Sequence, residues 1–452
     1  MNTLLSEDQL LLQIINYLKE GKRNEVERLI EELQPYDMAK IYKDIPEKHK
    51  TRCLLYMNIS DLADMIQELD PEDQFHALQL IGKEKLGKVL DDMDNDDLAS
   101  LLDDLSPERL QWVLTDMTHT ESTIVQSILS YPAETAGRLM TNRFVWIKQD
   151  YTVRDAIDKL KSFAEFAETI NYLYVVDERR KLVGVVSYRD LLIAGIDDHI
   201  HDIMYERVIS VTAYTDQEEA AKLIERYDFN AIPVVDDYYT LIGIITVDDI
   251  IDVFIQEATE DIEKLSASGK AIDFDTKAIV AAYRRLPWLI PLLFIGLVSG
   301  SIISFFEGTV SQVVALTYFM PLITGMTGNT GTQSLAVVVR GLTSRDIDKG
   351  IVTRLVAREF GVGILIGLVC GVLITIIAYV WQGNIYLGLV VGLSLIITLV
   401  IGTMAGTIIP LLLYKLNLDP AVASGPLITT INDIFSLIVY YSIATWFLLQ
   451  LI

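Results

Sequence analysis

Very little in this chain points to covalent or redox chemistry. Its 452 residues include two cysteines and five histidines. No Cys-x-x-Cys and no His-Glu-x-x-His pattern occurs, which argues against a disulfide framework and a zinc site. There is no phosphate-cradling glycine loop and no paired nucleophile and base, so an enzyme is not expected. Basic residues are scarce: 37 Lys and Arg stand against 62 Asp and Glu, a net charge of −25. A chain of that charge repels phosphate backbones, so no nucleic-acid partner is expected. Met1 leads into a polar, acidic stretch, and no cleaved leader is expected there.

What is present is segregated along the chain. The composition is 51% hydrophobic yet 22% charged. From Leu286 onward six basic and six acidic residues cancel, so the whole surplus of acid lies before that point. The neutral part holds five apolar runs, Leu286–Phe306, Thr309–Val339, Phe360–Trp381, Ile385–Tyr414 and Pro420–Ile452. Each reaches the roughly 20 residues that cross a hydrocarbon core. Arg284 and Arg285 precede the first run. Arg340, Arg345, Lys349, Arg354 and Arg358 separate the second from the third, and Lys415 follows the fourth. The loops at Glu307–Gly308 and Gly383–Asn384 carry no base. The positive-inside rule then predicts a multi-pass protein of the cytoplasmic membrane, amino terminus cytoplasmic and carboxyl terminus outside.

The acidic part divides again. Residues 1–130 read as successive short helices, with similar units at 62–73, 86–97 and 98–109. Apolar positions at helical spacing are followed by Asp or Ser and then Pro or acids as the next start. A small superhelix and an ordinary helical bundle both fit that pattern.

Residues 138–256 contain a duplication. Val175-Val176-Asp177 recurs as Val234-Val235-Asp236, and Leu182–Leu192 as Leu241–Ile251. Leu139-Met140 matches Ile203-Met204 near the start of each copy. Each copy reads helix, strand, turn, strand, helix, and the first carries an inserted helix at Phe163–Thr169. The repeat resembles a tandem pair of CBS domains. In that family a hydroxyl and an Asp after the second strand can hold the ribose of an adenine nucleotide, here Ser187 with Asp190 and Thr246 with Asp249. The same residues can equally cap the helix that follows. A patterned acidic helix, Ile250–Leu265, then leads through Ser266–Gly269 and a second short helix to the first apolar run.

Ionisable groups at membrane depth call for an explanation. Asp433 lies about 13 residues into the last run, roughly 20 Å at 1.5 Å per residue, near mid-membrane. Thr429, Thr430 and Asn432 add oxygens beside it. The second run carries Pro321, Gly325, Gly328-Asn329-Thr330-Gly331 and Gln333. Such a segment suits broken backbone lining a cavity or close helix packing. Oxygen donors without Cys or His suit magnesium, calcium or manganese. Magnesium is often held by one or two carboxylates through its hydration shell. Two chains face to face would place two Asp433 carboxylates on one axis, a minimal acidic ring for a cation pore.

Together these motifs resemble the MgtE family of magnesium channels, over essentially the whole chain. The resemblance implies an all-α amino-terminal domain at 1–130 and α/β CBS domains at 131–200 and 201–256. It implies a connecting, or plug, helix within 257–284 and a five-helix transmembrane domain at 285–452. It implies a homodimer in the lipid bilayer with a central pore, with Asp433, Asn329, Gly325 and Gly328 at the permeating ion. It implies that cytosolic magnesium closes the pore by feedback through Asp216, Asp228, Asp249, Asp252, Glu257, Glu260, Asp261 and Asp419. Within Asp91–Asp97 it selects no particular residue. Two other readings remain at this level: a sodium- or proton-coupled exchanger, and a non-conducting membrane-anchored nucleotide sensor.

Overall fold

The computed structural model describes residues 7–452 apart from 104, 165, 269–271, 273–275 and 344–348. Arg345 of the basic loop and part of the expected second short helix lie outside the described residues. The chain divides into two compact units, Met1–Phe254 and Ile255–Ile452.

Among its described residues the first unit begins with ten helices between Glu7 and Leu129. Most are two to three turns long, several opened by Pro35, Pro71 or Pro107 at the first helical turn. Proline there costs nothing, because that N–H has no helical partner anyway. Along the array, helices repeatedly pack on the next but one: Pro35–Asp44 on Ile59–Gln67, that helix on Lys83–Asp92, and Asn95–Asp103 on His119–Leu129. This is the stacking of a superhelix, not the closed packing of a bundle. One apolar core runs through it from Ile14 to Val125.

The duplicated region forms two three-stranded sheets of identical order. In the first, β1 (Phe144–Lys148) pairs in parallel with β2 (Thr169–Val176), which pairs antiparallel with β3 (Leu182–Ser187). In the second, β4 (Val211–Thr212), β5 (Ala231–Val235) and β6 (Leu241–Thr246) repeat the pattern. The leading strands β1 and β4 add to the two strands per copy that the sequence pattern marks. Among the described residues of Phe163–Thr169 the expected inserted helix is not formed: the helix Val153–Phe163 ends there and Thr169 opens β2. The hairpin turns of the two copies clasp each other. Arg180 and Tyr239 occupy equivalent left-handed positions, and Leu182 N–H donates to Tyr239 O while Leu241 N–H donates to Arg180 O. The copies also exchange methionines. A Cβ on Gly184 would lie 2.6 Å from Met204 Sδ, and one on Gly243 2.6 Å from Met140 Sδ, so a side chain at either position would displace the facing methionine. Ala99 and Ile128 of the helical array share a core with Met140, Ile224 and Ile245, which seats the array on the second copy.

The helix Val247–Leu265 runs without interruption from the end of the second copy across the boundary between the units. In the second unit the helix Ala278–Phe305 already includes the residues expected to link to the first run.

Among the described residues, four helices are long and apolar enough to cross a membrane: Ala278–Phe305, Gly350–Gln382, Ile385–Lys415 and Gly425–Trp446. The expected second span is a correction. Its residues form a continuous 28-residue helix, Leu316–Thr343, but its Thr, Gly, Asn and Gln content keeps it below the hydropathy of a span. It is neither broken nor apolar. Threonine hydroxyls bond back along it, Thr327 to Ile323 O at 2.7 Å and Thr330 to Met326 O at 3.0 Å, so these polar groups are satisfied within the helix. It packs against Ile385–Lys415 and Gly425–Trp446. The expected last span is shorter than Pro420–Ile452: a 3-10 turn at Pro420–Val422 precedes Gly425–Trp446.

Candidate functional site

Three carboxylates meet in the first unit. Asp96, at the start of the helix Asn95–Asp103, Glu168, just before β2, and Asp249, in the first turn after β6, each offer an oxygen within 4.8 Å of the others. The backbone brings them together by specific ties. Arg143 donates to the carbonyls of Asp92, Asp91 and Met93 at 2.7, 2.9 and 2.7 Å, closing the carboxyl end of the helix Lys83–Asp92. A cation there complements the helix dipole. Asn95 Nδ2 donates to Asn142 Oδ1 at 2.6 Å, and Glu168 N–H donates to Arg143 O at 2.9 Å. Thr246 Oγ1 donates to Asp249 Oδ2 at 2.6 Å. Gln67 donates to both Asp97, at 2.7 Å, and Asp94, at 3.1 Å.

The electrostatics of this cluster are unfavourable as it stands. Burial, then the neighbouring Asp249, pushes Glu168 up to about 8, against hydrogen bonds from Thr141 and Thr246. Burial raises Asp249 to about 6, and burial followed by Asp249 raises Asp97 to about 7. Asp96 is raised well above the ordinary carboxylate range, first by burial and next by Asp249 and Glu168. Asp96 Oδ1 and Glu168 Oε2 are buried with no hydrogen-bond partner. Buried carboxylates in this state need protons or a cation between them. The donor set is all oxygen, which fits a hard divalent cation such as magnesium or calcium.

Of the residues expected to sense a cation, Asp249 is the one in this cluster. Asp216 caps the helix Gln217–Tyr227, accepting from Glu218 N–H at 2.8 Å. Asp228 ends that helix in a left-handed conformation, and Asp252 is exposed. In the second unit Lys264 sits between Glu260 and Asp419, at 2.5 and 2.6 Å. Glu257 and Asp261 are half-buried on the same helix. Asp96 and Glu168 carry no signal that singles them out in the sequence. Asp96 hides in an acid-rich run, and Glu168 sits in the segment that reads as an inserted helix.

The two hydroxyl–aspartate pairs part company. Ser187 caps the helix Tyr188–Ile193 with a complete capping box, and its Oγ donates to Asp190 Oδ2 at 2.5 Å. Both also line a cavity of about 580 Å³ with Tyr172, Arg189, Arg207 and Phe229. Cap and pocket wall are thus one arrangement. Thr246 and Asp249 do not line that cavity and belong to the acid cluster.

In the second unit Asp433 is half-buried on the helix Gly425–Trp446. Among the described residues its carboxylate makes no ion pair or hydrogen bond. Asn432 is fully buried instead, its Nδ2 donating to Thr327 O at 3.4 Å. On the neighbouring helix Leu316–Thr343, Gly325, Asn329 and Gln333 fall on one exposed face at a spacing of four, while Gly328 is buried. A Cβ on Gly328 would lie 3.1 Å from Thr429 Cγ2. One on Gly331 would collide with Asn432, and one on Gly402 would lie 2.7 Å from Thr327 O. Gly325 has open space. The buried glycines therefore serve helix approach, while Gly325 and Asn329 stay free for a ligand or a partner. Glu359, beside the basic loop, is 5% exposed, accepts from Ser334 Oγ at 2.9 Å, and pairs with Arg358 at 2.8 Å.

Comparison with known proteins follows this geometry. The sequence matches the family model of a divalent cation transporter over residues 320–443, that of the MgtE intracellular N domain over 33–134, and that of the CBS domain over 136–197 and 200–256. It is 58% identical, over 98% of both chains, to the magnesium transporter MgtE of Bacillus subtilis. The chain belongs to the MgtE family. Two solved structures resemble about half of the chain. The soluble part of a magnesium transporter has 37% identity and a TM-score of 0.54, covering 56% of this chain and 100% of that one. The cytosolic domain of the Mg2+ channel MgtE in complex with ATP has 33% identity and a TM-score of 0.51, covering 54% and 99%.

Proposed function

We propose that this MgtE family member is a homodimeric magnesium channel of the cytoplasmic membrane, its acidic half cytoplasmic and its carboxyl terminus outside, closed by cytosolic magnesium. The observation that carries the reading is the unpaired carboxylate of Asp433, on a helix packed against one that leaves Gly325, Asn329 and Gln333 exposed. In a bilayer such a face is costly unless water or a second copy covers it. A second copy would face its own Asp433 across the axis, giving two carboxylates for a hydrated divalent ion.

Feedback follows from the acid cluster. Divalent cation at Asp96, Glu168 and Asp249 relieves like-charge repulsion and stabilises the compact arrangement by mass action. Cation competing with Lys264 for Glu260 and Asp419 acts on the connecting helix. If that compact arrangement is the closed one, rising internal magnesium shifts the population towards it. The cavity beside Ser187 and Asp190 is the adenine-nucleotide site, a reading supported by the related cytosolic domain, which is in complex with ATP.

The test is current through purified protein in a planar bilayer, with magnesium the sole permeant cation and its cytoplasmic concentration stepped. Unitary currents that vanish as magnesium rises, and that Asp433→Ala abolishes, are expected. Silence in the bilayer with proton- or sodium-driven magnesium flux in vesicles would instead favour the exchanger. The pairing of Glu359 with Arg358 speaks against that coupling, because the acid is already engaged in an ion pair.

A further inference from the structure

Within the first unit a second and larger cleft, about 790 Å³, opens between the helical array and the first CBS copy. Its volume lies within the range of small-molecule sites. Its lining includes Trp146, Phe163, Phe166 and Arg180 from the CBS copy and Asp91, Asp92 and Glu121 from the helical array.

The cationic side is unusual for so acidic a chain. Arg180 lies 5.0 Å from the Trp146 ring centre, and Lys159 Nζ, which adjoins the cleft through its lining rings without lining it, lies 5.2 Å from the same ring and 3.9 Å from that of Phe163. Among the described residues neither cation is ion-paired, although acids outnumber bases throughout this unit. Cations held over aromatic faces keep their outward N–H donors available for an anion. Phe166 is 67% exposed, a ring left open for stacking. Asn95 is 1% exposed and lines the cleft, yet its Oδ1 is buried without a partner while its Nδ2 is committed to Asn142. A buried acceptor left unsatisfied costs free energy that a donor from a ligand would recover.

We propose that this cleft binds a nucleotide polyphosphate together with a divalent cation, at a site separate from the Ser187 cavity. The base stacks on Phe166, the phosphates meet Lys159 and Arg180, and a ligand N–H or O–H donates to Asn95 Oδ1. The acidic part of the lining repels a bare polyanion and accepts one whose chelated cation faces Asp91, Asp92 and Glu121. The cleft thereby selects the metal complex over the free nucleotide.

The experiment is titration of full-length protein in detergent micelles with ATP, in magnesium and then in EDTA. The Arg189→Ala variant disables the Ser187 cavity and isolates the new site. ATP binding should persist in that variant, fall at least about tenfold when Lys159→Ala and Arg180→Ala are added, and weaken in EDTA. Protein carrying only Lys159→Ala and Arg180→Ala should keep binding at the Ser187 cavity, which reports an intact fold and reads the other site separately. Isotherms of the Arg189→Ala variant that superimpose with and without the two added replacements would overturn the proposal. So would an Arg189→Ala protein that binds no ATP while its far-UV circular dichroism is unchanged.

Discussion

The two CBS copies carry the same device in two surroundings. Ser187 with Asp190 and Thr246 with Asp249 stand 59 positions apart, each a hydroxyl donating to an aspartate three residues on. In the first copy the pair walls a cavity with two arginines, Arg189 and Arg207. In the second, Asp96 and Glu168 approach Asp249. One motif thus faces cations and suits an anion, and the other faces anions and suits a cation. A local motif sets the capping geometry, while the surfaces that dock on it set the ligand.

The largest expected difference between the copies is in the response to magnesium. A cation at a hundred times its dissociation constant adds about 2.7 kcal/mol of stability. Asp249→Asn should remove most of the magnesium-induced rise in melting temperature, whereas Asp190→Asn should leave it intact. Thermal unfolding with and without saturating magnesium reads this directly, and equal responses of the two variants would break the comparison.

The second contrast is in pH. Asp249, Asp97 and Glu168 have folded values of about 6, 7 and 8, all above their ordinary 3.8, 3.8 and 4.5. Each binds its proton more tightly folded than unfolded. Their contribution is therefore present at low pH and lost as pH rises between about 4 and 8. Cation-free protein should lose stability across that window, and saturating magnesium should flatten the slope. Denaturant titrations at several pH values should show a shallower slope for Asp249→Asn than for the unsubstituted protein.

The smallest contrast concerns the hydroxyls. Ser187→Ala removes a cap on a partly exposed helix start and should cost about 1 kcal/mol. Thr246 is 3% exposed. Its loss leaves the buried Asp249 carboxylate short of a donor and should cost about 2 kcal/mol. Equal losses in urea unfolding would mean that the two sites are desolvated alike.

Much of this is legible in the sequence because periodicity and composition act locally. Apolar spacing marks the short helices and the spans, and the 59-residue repeat marks the paired α/β units. The acid surplus before residue 286 separates the two halves, and a lone Asp433 in an apolar run marks the candidate membrane site. The departures have physical causes. Leu316–Thr343 has the length of a span, although its threonines bond back along the helix and its buried face packs against neighbouring helices. Gly325 and Gly328 look alike as ion-site glycines, but a Cβ on Gly328 would press on Thr429 while Gly325 has open space. Glu359 sits next to a basic loop in the sequence, yet Ser334 and Arg358 hold it buried.

The sequence by itself determined the helices, the duplicated sheets, the segregation of charge and the family. Which of the 62 acidic residues meet was decided only by tertiary structure. Asp96, Glu168 and Asp249 belong to three segments far apart in the chain. Their encounter depends on Arg143 and Asn142 seating the helical array on the CBS pair. Spacing within a segment encodes local conformation and the buried face. The distance between carboxylates on separate segments depends on how finished surfaces dock, and no local pattern carries that.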